Sequence, residues 1–170
     1  MTNSINIIIC GTGGQGVLYI SNILSKIFVD SDYDIKVSEI HGMSKRGGSV
    51  NCEMRIGERI YSPIIEENSL DYLLDLDSKE YINYYKKLQP STLIITTSKN
   101  ILGNYTTIHV NKKKLYKALY SQNIQSINYN ITLLGILIKY LKKSVNLNLD
   151  YIKTLTSQAK KAFQIGTNYT

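Results

Sequence analysis

"IIICGTGGQGVLYISNIL", residues Ile7 to Leu24, decides the fold. Its first part is apolar, rich in isoleucine and ended by glycine, which reads as a buried strand over Ile5–Cys10. In the part after the glycines, Val17, Ile20, Leu24 and Ile27 recur at helical spacing and predict a helix to about Phe28. The turn between them, Gly11-Thr12-Gly13-Gly14-Gln15-Gly16, lets the backbone bend tightly and approach a neighbour closely. The exposed N–H groups at the start of the following helix favour an anion.

Outward from this stretch, "DSDYD" (Asp30–Asp34) is a polar turn and Ile35–Ile40 a second strand. The resulting strand–helix–strand unit predicts a right-handed parallel crossover. Val50–Ile56 reads as a strand. Gly57-Glu58 is a hairpin signal, with Arg59–Ser62 returning as a short strand stopped by Pro63. Further strands are expected at Asp71–Leu76, where "YLLDL" could instead start a helix, and at Thr92–Thr97 and Tyr105–Val110, with helices at Lys79–Leu88, Lys112–Tyr120 and Ile131–Lys142. Asp150 is placed to cap a last helix running to about Phe163. Strands alternating with helices predict an α/β fold: a three-layer Rossmann-like sandwich with a mostly parallel sheet, as a single domain over residues 1–170. In such a fold the first strand–helix turn lies at the carboxyl edge of the sheet, where ligands bind.

Composition narrows the class. The chain has 170 residues, 43% of them hydrophobic, and two prolines, which suits a folded domain and not disorder. Two cysteines, Cys10 and Cys52, make no disulfide framework; reduced and buried, they suit a cytoplasmic protein. "MTNSIN" lacks the charge of a secretory signal, and the apolar run Ile131–Leu137 soon meets Lys139, Lys142 and Lys143, so neither a leader nor a membrane span is expected. The net charge of +7 is uneven: residues 1–98 carry nine basic and twelve acidic residues, net −3, and residues 99–170 carry eleven lysines and one acid, net +10. The basic part can face an acidic partner or a polyphosphate, or be a solvated surface.

The glycine loop fits the G-x-G-x-x-G pattern of a dinucleotide-binding turn, and Glu39 stands where an acid would take the ribose hydroxyls. A stand-alone NAD(P)-binding oxidoreductase is therefore one reading. The second loop speaks against stopping there. "HGMSKRGGSV" begins two residues after Glu39, at the carboxyl end of its own strand. His41 can donate, accept or carry a proton near neutral pH. Arg46 offers a planar fork to carboxylate or phosphate. Gly47-Gly48 lets the backbone come near a ligand. Two glycine-bearing loops on one sheet edge describe a site. A nucleic-acid module, suggested by charge alone, lacks both a motif and a stacking platform.

"GTGGQGVLYISNIL" followed by "KVSEIHGMSKRGGSVNCEMRIGERIYSPII" resembles the gamma-type subunits of 2-oxoacid:ferredoxin oxidoreductases, and most the small (beta) subunits of indolepyruvate ferredoxin oxidoreductases. The resemblance is strong over Ile5–Ile65. "NYNITLLGIL" and "AKKAFQIG" resemble the family's later pattern more loosely, with Lys160-Lys161 where an Asn is expected before the Ala-Phe pair. The resemblance implies oxidative decarboxylation of a 2-oxoacid, usually an arylpyruvate, to an acyl-CoA, with electrons passed through iron–sulfur clusters to ferredoxin. A cubane cluster takes about four thiolates, and this chain has two cysteines. It also lacks the Gly-Asp-Gly pattern that holds thiamine diphosphate through a metal. Thiamine diphosphate, Mg and the 4Fe-4S clusters are therefore expected on a larger partner subunit, with no metal on this chain and coenzyme A as co-substrate. No nucleic acid or membrane partner is expected. The candidate catalytic residues are His41 and Arg46. The candidate cofactor-facing positions are Gly11, Gly13, Gly14, Gln15 and Gly16 in the first loop, and Gly42, Met43, Gly47 and Gly48 in the second.

Overall fold

In the computed structural model, which describes residues 4–41, 48–99 and 101–170, strand β1 (Ile5–Thr12) is buried on both faces. Ile7 and Ile9 enter the larger core on one side of the sheet, and Ile8 and Cys10 enter a smaller core on the other. This is why the opening run is continuously apolar: a central strand has no solvent face to alternate with. Helix α1 (Val17–Val29) follows, and it lays Val17, Ile20, Leu24 and Ile27 on the larger core.

The remaining strands are β2 (Asp34–His41), β3 (Ser49–Gly57), β4 (Leu70–Asp75), β5 (Leu88–Thr96) and β6 (Thr106–His109), in the spatial order β2-β3-β1-β4-β5-β6. From β1 outward, β4, β5 and β6 pair in parallel. Strand β3 runs against both its neighbours, with Ile9 opposite Cys52 and Val37 opposite Met54. The sheet is thus mostly parallel, as expected, but the first crossover is split. β1 and β2 point the same way and are separated by β3, so the strand–helix–strand unit spans one strand more than the sequence suggests.

That insertion also removes the expected hairpin. Both edges of β3 are occupied, so Arg59–Ser62 has no strand to pair with and leaves the sheet. Instead the Arg55 guanidinium donates to the carbonyls of Ser62 and Ile64, each at 3.3 Å, and the Ile60 amide donates to Asp34 Oδ2 at 2.8 Å. Lys79–Leu88 is a 3-10 helix over Glu80–Lys87 and not an α-helix. Its three-residue period puts Tyr81 and Tyr84 on one side, both buried in the smaller core, and carries Lys87 to Glu53 at 2.6 Å.

Helices α2 (Lys112–Ser121), α3 (Tyr129–Leu141), α4 (Asp150–Thr154) and α5 (Ser157–Thr167) complete the chain. Leu115, Leu119 and most of α3 join α1 on the larger core. The α-helical layer thus lies on one face, and the smaller core on the other is covered by Ile65, by Tyr81 and Tyr84 of the 3-10 segment, and by Ile101 and Tyr105. The last expected helix is two. Leu149, not Asp150, holds the cap position of α4, Leu155 is extended, and the Thr156 hydroxyl caps α5 by accepting from the Ala159 amide at 3.3 Å. Among the described residues no helix is long and apolar enough to cross a membrane.

Helices α3 and α5 lie side by side, with Asn128 meeting Gln158 at one end and Lys139 meeting the Tyr169 carbonyl at the other. They touch backbone to backbone at Gly135 and Gly166: a Cβ on Gly166 would overlap the Thr132 carbonyl oxygen, so the backbone would have to shift. Alanine is the better helix former by about 1 kcal/mol, while forcing a methyl into a packed contact costs about 1–3 kcal/mol. Gly166→Ala should therefore lower the thermal midpoint. A raised midpoint would show that the helices do not meet this closely.

Candidate functional site

The carboxyl ends of β1, β4 and β5 place Thr12, Asp75 and Thr96 along one edge. Because β3 runs the other way, its first residue, Ser49, arrives at the same edge, paired in register with Thr12. The two loops of the sequence therefore meet. The Gly13 amide donates to the Gly48 carbonyl at 2.9 Å. The His41 backbone closes β2 opposite Val50. The His41 side chain, together with Gly42, Met43, Ser44, Lys45, Arg46 and Gly47, lies outside the described residues.

Within the first loop, Gly14 and Gly16 take positive φ, 93° and 81°. This left-handed region costs any residue with a Cβ. At Gly16 there is a second reason, because a Cβ there would collide with Asn130 Nδ2. The Gln15 side chain folds back into the loop: its Oε1 accepts from the Thr12 amide at 2.9 Å, and its Nε2 donates to Asp77 Oδ1 at 3.3 Å. The Gln15 carbonyl accepts from Asn130 Nδ2 at 3.3 Å. Gln15 thus organises the turn with its side chain and leaves the backbone of Gly14 and Gly16 facing outward.

What they face is a cavity of about 900 Å³, walled by the glycine loop, Leu76 and the starts of α2, α3 and α5. No side chain caps the start of α1, whereas the first turn of α3 is satisfied from within, the Tyr129 amide donating to the Ser126 carbonyl and the Ile131 amide to Asn130 Oδ1 at 2.7 Å. Two helix N-termini therefore bring their positive dipole ends to one space, and α1 adds uncapped first-turn amides. Lys112 adds a cation, held 5.7 Å above the Tyr129 ring, and Tyr116 stacks on Tyr129 at 5.1 Å. The Tyr129 hydroxyl is buried with no hydrogen-bond partner among the described residues, and burial pushes its ionisation well above the usual phenol range. This set of groups, one cation, two stacked tyrosines and a helix N-terminus, suits an anion carrying a flat or apolar part.

None of Lys112, Tyr116, Asn130 or Gln158 stood out in the sequence as a site residue. Only "NYNITLLGIL" pointed at Asn130, through its resemblance. Of the basic part of the chain, Lys112 reaches this cavity, while Lys139 and Lys142 lie near the far end of α3, about 20 Å along a helix of its length.

Two residues behave differently from a dinucleotide site. Glu39 is exposed on β2, which is two strands from β1, about 9–10 Å across the sheet. The dinucleotide fingerprint needs its acid on the strand next to the glycine turn. Cys10 and Cys52 are fully buried and face opposite sides of the sheet. Burial raises both thiols, Cys52 to about 11 and Cys10 well above its ordinary range with help from the Asp75 charge. They do not fit a cluster or a shared metal.

Known proteins agree with this architecture. Over 116 residues the chain is 34% identical to indolepyruvate oxidoreductase subunit IorB of Thermococcus kodakarensis, covering 64% of this chain and 57% of that protein. Over 94 residues it is 40% identical to the subunit of the same name from Methanothermobacter thermautotrophicus, covering 55% and 47%. The chain thus spans about half the length of the curated relatives it matches. The crystal structure of a keto/oxoacid ferredoxin oxidoreductase gamma subunit from Geobacter sulfurreducens superposes with a TM-score of 0.73 over 95% of both chains at 20% identity, a likeness of fold. The description of one family fits residues 6–169, nearly the whole chain, and on that match the chain belongs to the pyruvate ferredoxin/flavodoxin oxidoreductase family.

Proposed function

We propose that this chain is the small subunit of a cytoplasmic, thiamine-diphosphate-dependent 2-oxoacid:ferredoxin oxidoreductase acting on indolepyruvate or a related arylpyruvate, and that it supplies one wall of an active site shared with a larger subunit. The observation that carries this reading is the Gly13–Gly48 hydrogen bond, 2.9 Å long, which joins the two loops at one sheet edge beside the cavity. Relatives named as indolepyruvate oxidoreductase subunits support the substrate class.

The larger subunit would hold thiamine diphosphate, magnesium and the iron–sulfur clusters, since the residues present here fit none of them. Thiamine diphosphate there would supply the decarboxylation chemistry. This chain's share is binding and orientation. The outward amides of the glycine loop and the uncapped N-terminus of α1 would receive an anionic group of the 2-oxoacid or of coenzyme A, with Lys112 balancing its charge. Arg46 would grip a carboxylate or phosphate with both prongs, and His41 would hold or pass a proton at the mouth of the second loop. Closing these loops over the partner's site would keep water out of it.

In the assembled complex, Arg46→Ala should leave co-purification of the large subunit unchanged and lower 2-oxoacid oxidation about 10- to 100-fold, the range expected for losing a charge-assisted contact of about 1.5–3 kcal/mol. Wild-type turnover in that variant would remove Arg46 from the site. The pure chain should show no tight binding when titrated with NADH and followed by nucleotide fluorescence; saturable enhancement would favour the dinucleotide reading instead.

A further inference from the structure

The stretch "DLDSKE", Asp75 to Glu80, carries three carboxylates in six residues, and none of the three ion-pairs with lysine or arginine among the described residues. It lies between the end of β4 and the 3-10 segment, at the edge that bears both loops. Each carboxylate has a separate task. Asp75 is fully buried in a cross-strand row with Cys10 and Thr96. Its Oδ2 accepts from the Thr96 hydroxyl at 2.9 Å, and its Oδ1 accepts from the amides of Asp77 and Ser78, both at 3.1 Å. These bonds wind the chain into a turn in which Ser78 takes φ 65°, a left-handed conformation unusual for serine. The Leu76 amide ties the turn to β1 by donating to the Cys10 carbonyl at 2.9 Å.

Held this way, the other two carboxylates reach different loops. Asp77 accepts from Gln15 Nε2 at 3.3 Å, and Gln15 in turn holds the Thr12 amide at 2.9 Å, so Asp77 grips the first loop from within. Glu80 Oε2 accepts from the Ser49 hydroxyl at 2.5 Å and from Asn83 at 3.1 Å, so Glu80 grips the C-terminal root of the second loop. Ser49 follows Gly48, whose carbonyl accepts from Gly13. The contacts close a ring: Asp77 to Gln15, along the chain to Gly13, across to Gly48 and Ser49, then to Glu80 and back through the turn to Asp77. In a closed ring, a shift of one loop must move the other or break a bond. A charged acceptor makes each such bond stronger than a neutral one.

We propose that Asp77 and Glu80 are positioning residues, which through the turn anchored by Asp75 fix the glycine loop and the root of the His41–Gly48 loop in one mutual geometry. The proposal rests on the reading of the two loops as one active-site wall. It assigns the turn no contact with substrate. Its effect on catalysis runs through Gln15 and Ser49, and misplacing a site wall by an ångström can cost orders of magnitude in rate.

The test uses two readouts. In the isolated folded chain, amide hydrogen exchange is followed for peptides covering residues 11–16 and 48–52. Glu80→Ala should speed exchange in both peptides although its side chain touches only the second, and Asp77→Ala should do the same from the other side. Glu80→Gln, which keeps an acceptor for Ser49, should restore slow exchange in both. In the complex with the large subunit, each alanine variant should lower kcat for 2-oxoacid-dependent dye reduction about tenfold, and the double variant should lose little more than either single one, because a ring is broken only once. Acceleration confined to the peptide next to each substitution, or rate losses that multiply in the double variant, would overturn the proposal. If the alanine variants do not fold, Glu80→Gln against Glu80→Asp, which shortens the reach to Ser49, applies the same two readouts. A wild-type complex without 2-oxoacid oxidation would defeat the enzymatic reading and leave the exchange result to decide the ring.

Discussion

The placement of β3 between β1 and β2 is the constraint on which the rest depends. An antiparallel strand inserted beside β1 begins at the edge where the parallel strands end. The register that sets Ser49 opposite Thr12 then brings the second loop back to the glycine turn. One backbone hydrogen bond, Gly13 to Gly48, marks the closure. Had β2 lain directly beside β1, the chain would have had the topology of a dinucleotide fold, and the second loop would have had to return to the sheet elsewhere. The inserted strand moves Glu39 away from the glycine turn and sets Ser49 beside Thr12 in its stead. The same glycine motif thereby stands in a topology that does not fit the dinucleotide fingerprint.

The larger core supports this edge from below. Helix α3 is almost wholly buried and runs from the glycine loop, where Asn130 holds the Gln15 carbonyl, towards the far end of the sheet. Its close crossing with α5 at Gly135 and Gly166 fixes where the start of α5 stands, and Thr156 and Gln158 there form part of the cavity wall. Packing at the helix crossing and geometry at the site are therefore parts of one arrangement. On the other face the cover is thin. Tyr81 and Tyr84 seal the smaller core through a three-residue repeat, and the turn leading into that segment braces the loops.

Much of the fold was legible because the strongest patterns were local. The buried run Ile5–Cys10, the helical repeat of Val17, Ile20, Leu24 and Ile27, and the β-branched run at Thr92–Thr97 each specify an element without reference to the rest. The errors lie where a neighbour decides. Arg59–Ser62 has the composition of a returning strand and fails because both edges of β3 are taken. Glu80–Lys87 has enough apolar spacing for an α-helix but follows the three-residue period that Tyr81 and Tyr84 need. Thr156 caps a new helix where one continuous helix was expected. At the site, the two loops were legible as motifs, and so was their shared edge. Lys112, Tyr116, Asn130 and Gln158 were not, because they reach the cavity from helices far along the chain and none carries a local signature. Asp77 and Glu80 carry no local signature either, and only their contacts with Gln15 and Ser49 single them out.

The most direct measurement is anaerobic purification of the tagged chain from its native cell, followed by an assay of the eluate with a 2-oxoacid, coenzyme A and a redox dye. The account predicts a brown eluate in which this chain travels with a larger iron–sulfur protein and reduces the dye only when the 2-oxoacid is added. A colourless chain that elutes alone and leaves the dye oxidised would contradict it.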